Sequence, residues 1–228
     1  MTGQLQAGRA GAEPGSAAAL IIFVHGYGAN GADLLSLAPM LEPELPGWGF
    51  LAPDAPDPCP GAPPGGRQWA PIPAMDGSDA AVAQAAFLRS ADMLDRFIDG
   101  VLAEYGLPPE KLFVFGFSQG AMLALHLAPR RAAPIGGVIA TSGMLIAPER
   151  LAAEVRVKPP VLLVHGDQDA VVSPAALPQA AEALQGAGFP VYAHVSKGTG
   201  HGIAPDGLGA ALAFLRQFAG PADTPRDG

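Results

Sequence analysis

Apolar residues fall along this chain in two rhythms. Short continuous runs alternate with longer stretches in which apolar positions recur every three to four residues. The first run, AAALIIFV at 17–24, is too short for an ordinary helix and rich in β-branched residues, which predicts a strand buried on both faces, as in a parallel sheet. A Gly-rich loop at 26–31 follows, then a short helix at 33–40 and a strand at 48–52 stopped by Pro53. Residues 53–73 form a long Pro/Gly loop, and loops of that length are often functional. The clearest helix runs from Ser78, as its cap, to Leu102. Phe87, Ala91, Leu94, Ile98 and Val101 share one face, and Gly106 and Pro108 end it.

From there strands at 111–117, 135–141, 161–165 and 191–195 are interleaved with helices at 119–128, 174–185 and 207–218. Such alternation predicts an α/β fold with a mainly parallel central sheet and helices on both faces. Sites in such sheets form at the carboxyl ends of the strands. Residues 1–16 and 220–228 read as flexible ends around one domain at 17–219.

Composition narrows the function classes. The chain of 228 residues is 49% hydrophobic and 15% charged, which excludes a disordered or fibrous protein. Its formal net charge of -8 repels phosphate backbones and anionic membranes, and no basic cluster is present, so nucleic acid is not an expected partner. No apolar run is long enough for stable membrane insertion, and the first sixteen residues lack the apolar core of a signal peptide. The single cysteine, Cys59, reads as a loop thiol without a role and fits a reducing, cytoplasmic setting. The histidines lack a paired ligand spacing, so no metal is expected.

Three motifs lie at predicted strand ends. Gly116-Phe117-Ser118-Gln119-Gly120 joins a strand to a helix, the context of a nucleophile elbow, in which a sharp turn lifts the serine above the sheet. The same pattern also fits a serine that merely caps a helix. A serine hydroxyl needs a base, and the base an orienting carboxylate. In this chain order only Asp167 and Asp169 lie between Ser118 and His201, so one is the orienter and the other a turn former. His201, in the loop GTGHG at 198–202, is the expected base. His25, His126 and His165 are excluded by chain order, and His194 lies within a strand. His126 reads as a helix-packing residue, and His25 as one that holds its loop. The loop HGYG at 25–28 is expected to offer Tyr27 N–H to a tetrahedral oxyanion, alongside Gln119 N–H.

FVHGYGANGADLLSLAP, LAPDAPDP followed by GGRQW, GFSQGAML, HGDQDAVVSP and GTGHGI occur in order with fitting gaps. Over residues 19–218 the chain resembles the phospholipase/carboxylesterase family, the bacterial carboxylesterases related to acyl-protein thioesterases. The resemblance implies an α/β-hydrolase fold without a large cap domain. It points to Asp169, the second Asp of H-G-D-x-D, as the acid, with Ser118 as nucleophile, His201 as base and Tyr27 as an oxyanion donor. It implies Val171 in the acyl pocket and Leu34 and Trp69 at its entrance. The loop from Pro56 to Ala70 departs from the family in its richness in Pro and Gly, and any extra N-terminal strand must come from residues 2–10.

The expected activity is hydrolysis of small-molecule carboxylic esters of short to medium chain through an acyl-enzyme, with no cofactor, by a monomer or homodimer. Thioesterase or lysophospholipase activity would use the same residues. A non-catalytic binding module is the alternative of a different class.

Overall fold

A computed structural model of the chain describes residues 5–220. In chain order its strands are β1 (Ala7–Gly11), β2 (Ala19–Val24), β3 (Trp48–Pro53), the two-residue β4 (Asp57–Pro58) and β5 (Arg67–Gln68), β6 (Leu112–Phe117), β7 (Gly137–Thr141), β8 (Val161–Gly166) and β9 (Val191–Ser196). Its α-helices are α1 (Gly31–Leu35), α2 (Ala38–Leu41), α3 (Pro73–Asp76), α4 (Ala80–Tyr105), α5 (Gln119–Leu127), α6 (Pro148–Glu154), α7 (Ala176–Gly186) and α8 (Pro205–Phe218).

Seven strands form one sheet in the order β1-β3-β2-β6-β7-β8-β9, while β4 and β5 pair as a separate hairpin. All neighbours in the sheet are parallel except β1 on β3. The chain first winds outward from β2 to β3, then returns to place β6 on the other side of β2. That reversal opens a crevice at the carboxyl ends of β2 and β6, where ligands of such sheets bind. The loop after Val24 and the turn at Ser118 lie there.

The continuous apolar runs are explained by burial on both faces. Ile21 and Phe23 of β2 pack with Phe50, Phe113, Phe115 and the α8 residues Ala211, Phe214 and Leu215 on one side. Leu20, Ile22 and Val24 pack with Leu94 and Ile98 of α4 and with Leu123 and Leu125 of α5 on the other.

Several expectations are corrected. Residues 7–11, inside the segment read as a flexible end, pair antiparallel with β3, Arg9 opposite Leu51, and Arg9 also binds Glu104 of α4 through two hydrogen bonds of 2.6 and 2.8 Å. Leu5 and the rest of the chain to Gly220 are described; residues 1–4 and 221–228, read as parts of the flexible ends, lie outside the described residues. The helix expected at 33–40 is two pieces, because Pro39 has no N–H to continue α1 and instead sits in the first turn of α2. Asp79 rather than Ser78 caps α4: its Oδ1 accepts from Ala81 and Val82 N–H. The long loop after Pro53 carries the β4–β5 hairpin and the turn α3, and α6 was not foreseen.

Candidate active site

Ser118 sits between β6 and α5 with φ 53° and ψ -117°, a left-handed conformation that a non-glycine residue adopts only under constraint. The constraint is visible in its neighbours. Ser118 N–H donates to Thr141 O at 2.9 Å, and Ser118 O accepts from Met122 N–H at 3.1 Å. A Cβ added to Gly120 would lie 1.9 Å from Val24 O, so only glycine lets the first turn of α5 press against the end of β2.

His201 reaches Ser118 from the β9–α8 loop. That loop is fastened to the turn after β8: Asp167 N–H donates to Ser196 O (3.1 Å), Gln168 N–H to Thr199 O (2.9 Å), and Gly198 N–H to Asp167 Oδ1 (2.6 Å). Gly166 permits the close approach, since a Cβ there would meet Thr199 O at 2.3 Å. His201 Nε2 then lies 3.0 Å from Ser118 Oγ, and His201 Nδ1 lies 2.8 Å from Asp169 Oδ2. The ring of Phe117 rests 5.0 Å from the imidazole, centroid to centroid.

The Asp169 side chain is fully buried. Its Oδ1 accepts Val171 and Val172 N–H, each at 2.9 Å. Burial raises the carboxyl's pKa, but the hydrogen bonds from His201, Val172 N–H and Val171 N–H outweigh it and leave the pKa below the ordinary value. A second imidazole also approaches this carboxylate: His165 Nε2 lies 3.2 Å from Asp169 Oδ2 and 2.9 Å from Val172 O.

The loop after β2 is held on three sides. His25 accepts Ala55 N–H at Nε2 (3.0 Å), so its proton sits on Nδ1 and is donated to Gly26 O (2.8 Å). Burial lowers the pKa of His25, which keeps this buried ring neutral. Gly28 N–H donates to Arg67 O, and Arg67 N–H to Ala29 O, both at 2.8 Å. Among the described residues neither Tyr27 N–H nor Gln119 N–H has a protein acceptor. Gly26 packs against Ser118, its virtual Cβ 3.3 Å from Ser118 Cβ, so this loop borders the serine.

A family model described as Phospholipase/Carboxylesterase matches residues 11–219. The chain belongs to the phospholipase/carboxylesterase family. It is 32% identical to acyl-protein thioesterase 1 of Saccharomyces cerevisiae over 213 residues, covering 86% of this chain and 91% of that protein. The solved structure of esterase PE8 superposes with a TM-score of 0.87 at 40% identity, covering 94% of this chain and 99% of that one. A phospholipase/carboxylesterase from Dyadobacter fermentans superposes at 0.76 with 26% identity, covering 92% and 96%. The fold is thus that of the α/β-hydrolases, without a large cap, and the chain is a hydrolase of this family.

Two residues expected at the entrance of the family's acyl pocket are buried. Trp69 has no exposed surface; its Nε1 donates to His25 O at 2.9 Å, so it supports the Tyr27 loop from below. Leu34, 8% exposed, belongs to the apolar cluster with Ala38 and Leu41. Val171 is 66% exposed, beside Asp169.

Sequence reasoning missed the side chains that brace the site. The Gln119 amide clamps the long loop to the elbow, accepting Trp69 N–H at 2.9 Å and donating to Ala70 O at 2.7 Å. Ser142, at φ 50°, donates to Gly202 O at 3.3 Å beside His201. No sequence signal marks either contact. His165 could have been noticed, because the turn H-G-D-x-D must fold back on itself if its last carboxylate is buried.

Proposed function

We propose that the protein is a serine carboxylesterase that hydrolyses small-molecule carboxylic esters of short to medium acyl chain through an acyl-enzyme. The observation that carries this reading is the continuous chain of hydrogen bonds from Ser118 Oγ through His201 to the buried Asp169. As Ser118 Oγ bonds to the ester carbon, its proton passes to His201 Nε2. Asp169 holds Nδ1–H and stabilises the imidazolium. The carbonyl oxygen becomes an oxyanion received by Tyr27 and Gln119 N–H, where one such donor contributes about a hundred- to a thousandfold in rate. The intermediate collapses, the ester C–O bond breaks, and the leaving oxygen takes the proton from Nε2. Water then attacks the acyl carbon, giving its proton to Nε2, and Oγ leaves with that proton. These side chains and water account for every proton, so the scheme invokes no metal or organic cofactor.

Chain length follows from burial. A methylene contributes about 0.8 kcal/mol only where it leaves water. With the expected pocket residue Val171 two-thirds exposed, a long chain gains little at that point. A second reading, hydrolysis of thioesters or lysophospholipids, draws on the similarity to acyl-protein thioesterase 1. Initial rates on p-nitrophenyl esters from acetate to palmitate separate the two. The carboxylesterase reading expects an optimum at short or medium chains, Ser118 labelled by a fluorophosphonate, and turnover reduced on the order of a millionfold in Ser118→Ala. A long-chain optimum would favour the second reading. Undiminished turnover in Ser118→Ala would overturn both, and a folded protein silent on every ester would return the binding-module alternative.

A further inference from the structure

His165 is the penultimate residue of β8 and is excluded as the base by chain order, yet it is buried (3% exposed) against the acid that the base depends on. Both groups that its Nε2 faces are acceptors: Val172 O at 2.9 Å and Asp169 Oδ2 at 3.2 Å. A bare nitrogen there would meet two lone pairs, so Nε2 carries the proton; the hydrogen bond runs to Val172 O, with Asp169 Oδ2 beside it at 3.2 Å. Asp169 takes hydrogen bonds on both oxygens. Oδ1 is fixed by the Val171 and Val172 N–H groups of its own turn and Oδ2 by His201, and the His165 imidazole stands against Oδ2.

The chemistry asks something definite of Oδ2. It must stay ionised and must not rotate while His201 gains and loses a proton. Two donors on Oδ1 hold the carboxylate only as firmly as the turn that carries them. His165, delivered from a strand, ties that turn down: its N–H takes Val172 O, the carbonyl of the residue whose own N–H fixes Oδ1, and its ring closes the space beside Oδ2. We propose that His165 is a positioning residue for the hydrolytic reaction, locking the Asp169 carboxylate by anchoring Val172 and standing against Oδ2. This rests on the esterase reading above.

The test uses two isopolar substitutions of different reach. In His165→Gln the amide nitrogen falls close to the place of Nε2 and can still donate to Val172 O beside Oδ2. In His165→Asn the amide falls near Nδ1 and cannot reach it. Both keep a buried polar group and neither adds bulk, so differences in folding are small, and melting curves check this. With p-nitrophenyl butyrate, His165→Asn is expected to lower kcat about 10- to 100-fold, the range found when a partner orienting a functional ligand is removed. KM should stay within about twofold, since uniform binding is untouched. His165→Gln should recover kcat to within about threefold of the unsubstituted protein. Equal kcat in the asparagine variant and the unsubstituted protein, or equal losses in the two variants, would overturn the inference. Ser118→Ala keeps the failures distinct: if it abolishes turnover while His165→Asn does not change kcat, the esterase reading stands and only the role of His165 falls.

Discussion

Asp167 and Asp169 stand two residues apart on one turn, and their carboxylates serve different loops. Asp167 takes Gly198 N–H and lies 3.6 Å from Lys197 Nζ, an exposed contact that fixes the loop. Asp169 is buried and takes the imidazole N–H. From the residues alone both were open, because either Asp beside Gly can form the turn; burial separates them, and burial is a property of the folded loop pair. Asp169→Asn keeps the shape but offers an amide where a charge balanced the imidazolium, and kcat should fall about 10⁴-fold, as for the equivalent change in another triad. Asp167→Asn should stay within about tenfold, because loss of one surface hydrogen bond costs only about 0.5–1.5 kcal/mol. Comparable losses from the two substitutions would contradict the assignment of Asp169.

At the scale of elements, the inner strands of the sheet were legible because residues buried on both faces must be apolar, and β2, β6 and the first four residues of β8 are. The edge strand β9 was legible too, but at the other edge β1 was marked only as an extra strand that must come from residues 2–10. Strand β1 reads AGRAG, with weak strand propensity and no alternation, and exists because β3 offers an unpaired edge. The elbow was legible as glycines around a serine, but the reason for Gly120 was not, since it lies in a contact with Val24 O across almost a hundred residues of chain. That contact makes a prediction. In Gly120→Ala the added methyl must push α5 from β2, a backbone neighbour that cannot step aside. Overpacking of this kind costs about 1–3 kcal/mol. The melting temperature should drop by several degrees, about 2–4 °C per kcal/mol for a chain of this size. Turnover should fall further than stability alone explains, because Gln119 N–H moves with the helix. Unchanged melting and turnover would show that the sheet yields where the packing says it does not.

The molecule as a whole gathers chemistry from distant parts of the chain to one rim, because the winding reverses between β2 and β6. Its acidic composition bears on stability as well. Lowering the pH neutralises carboxylates and relieves the self-repulsion of a chain of net charge -8, yet such repulsion is screened beyond about 10 Å in ordinary buffers. Against it stand two buried imidazoles whose pKa burial lowers, His25 and His126. His126, 8% exposed, packs edge-on to Phe87 with ring centroids 5.2 Å apart, and its Nδ1 has no hydrogen-bond partner among the described residues. Burial, with Arg130 adding to it, lowers its pKa from 6.5 to about 4. The unfolded chain thus binds this proton between pH 6.5 and 4 while the folded chain does not, so stability falls as pH falls through that window. At pH 5 the loss is on the order of 1–2 kcal/mol, enough to move the melting temperature by a few degrees. The carboxylates of Asp169 and Glu154, held below their ordinary pKa, add their share only at lower pH, through the carboxylate range. The two contributions separate in His126→Leu, which has no titrating group. Its melting temperature should change less between pH 7 and pH 5 than that of the unsubstituted protein, and the two curves should run parallel below pH 4. Parallel curves from pH 7 downward would mean that His126 is already solvated in the folded state, and the acid sensitivity would then have to come from His25 and the carboxylates.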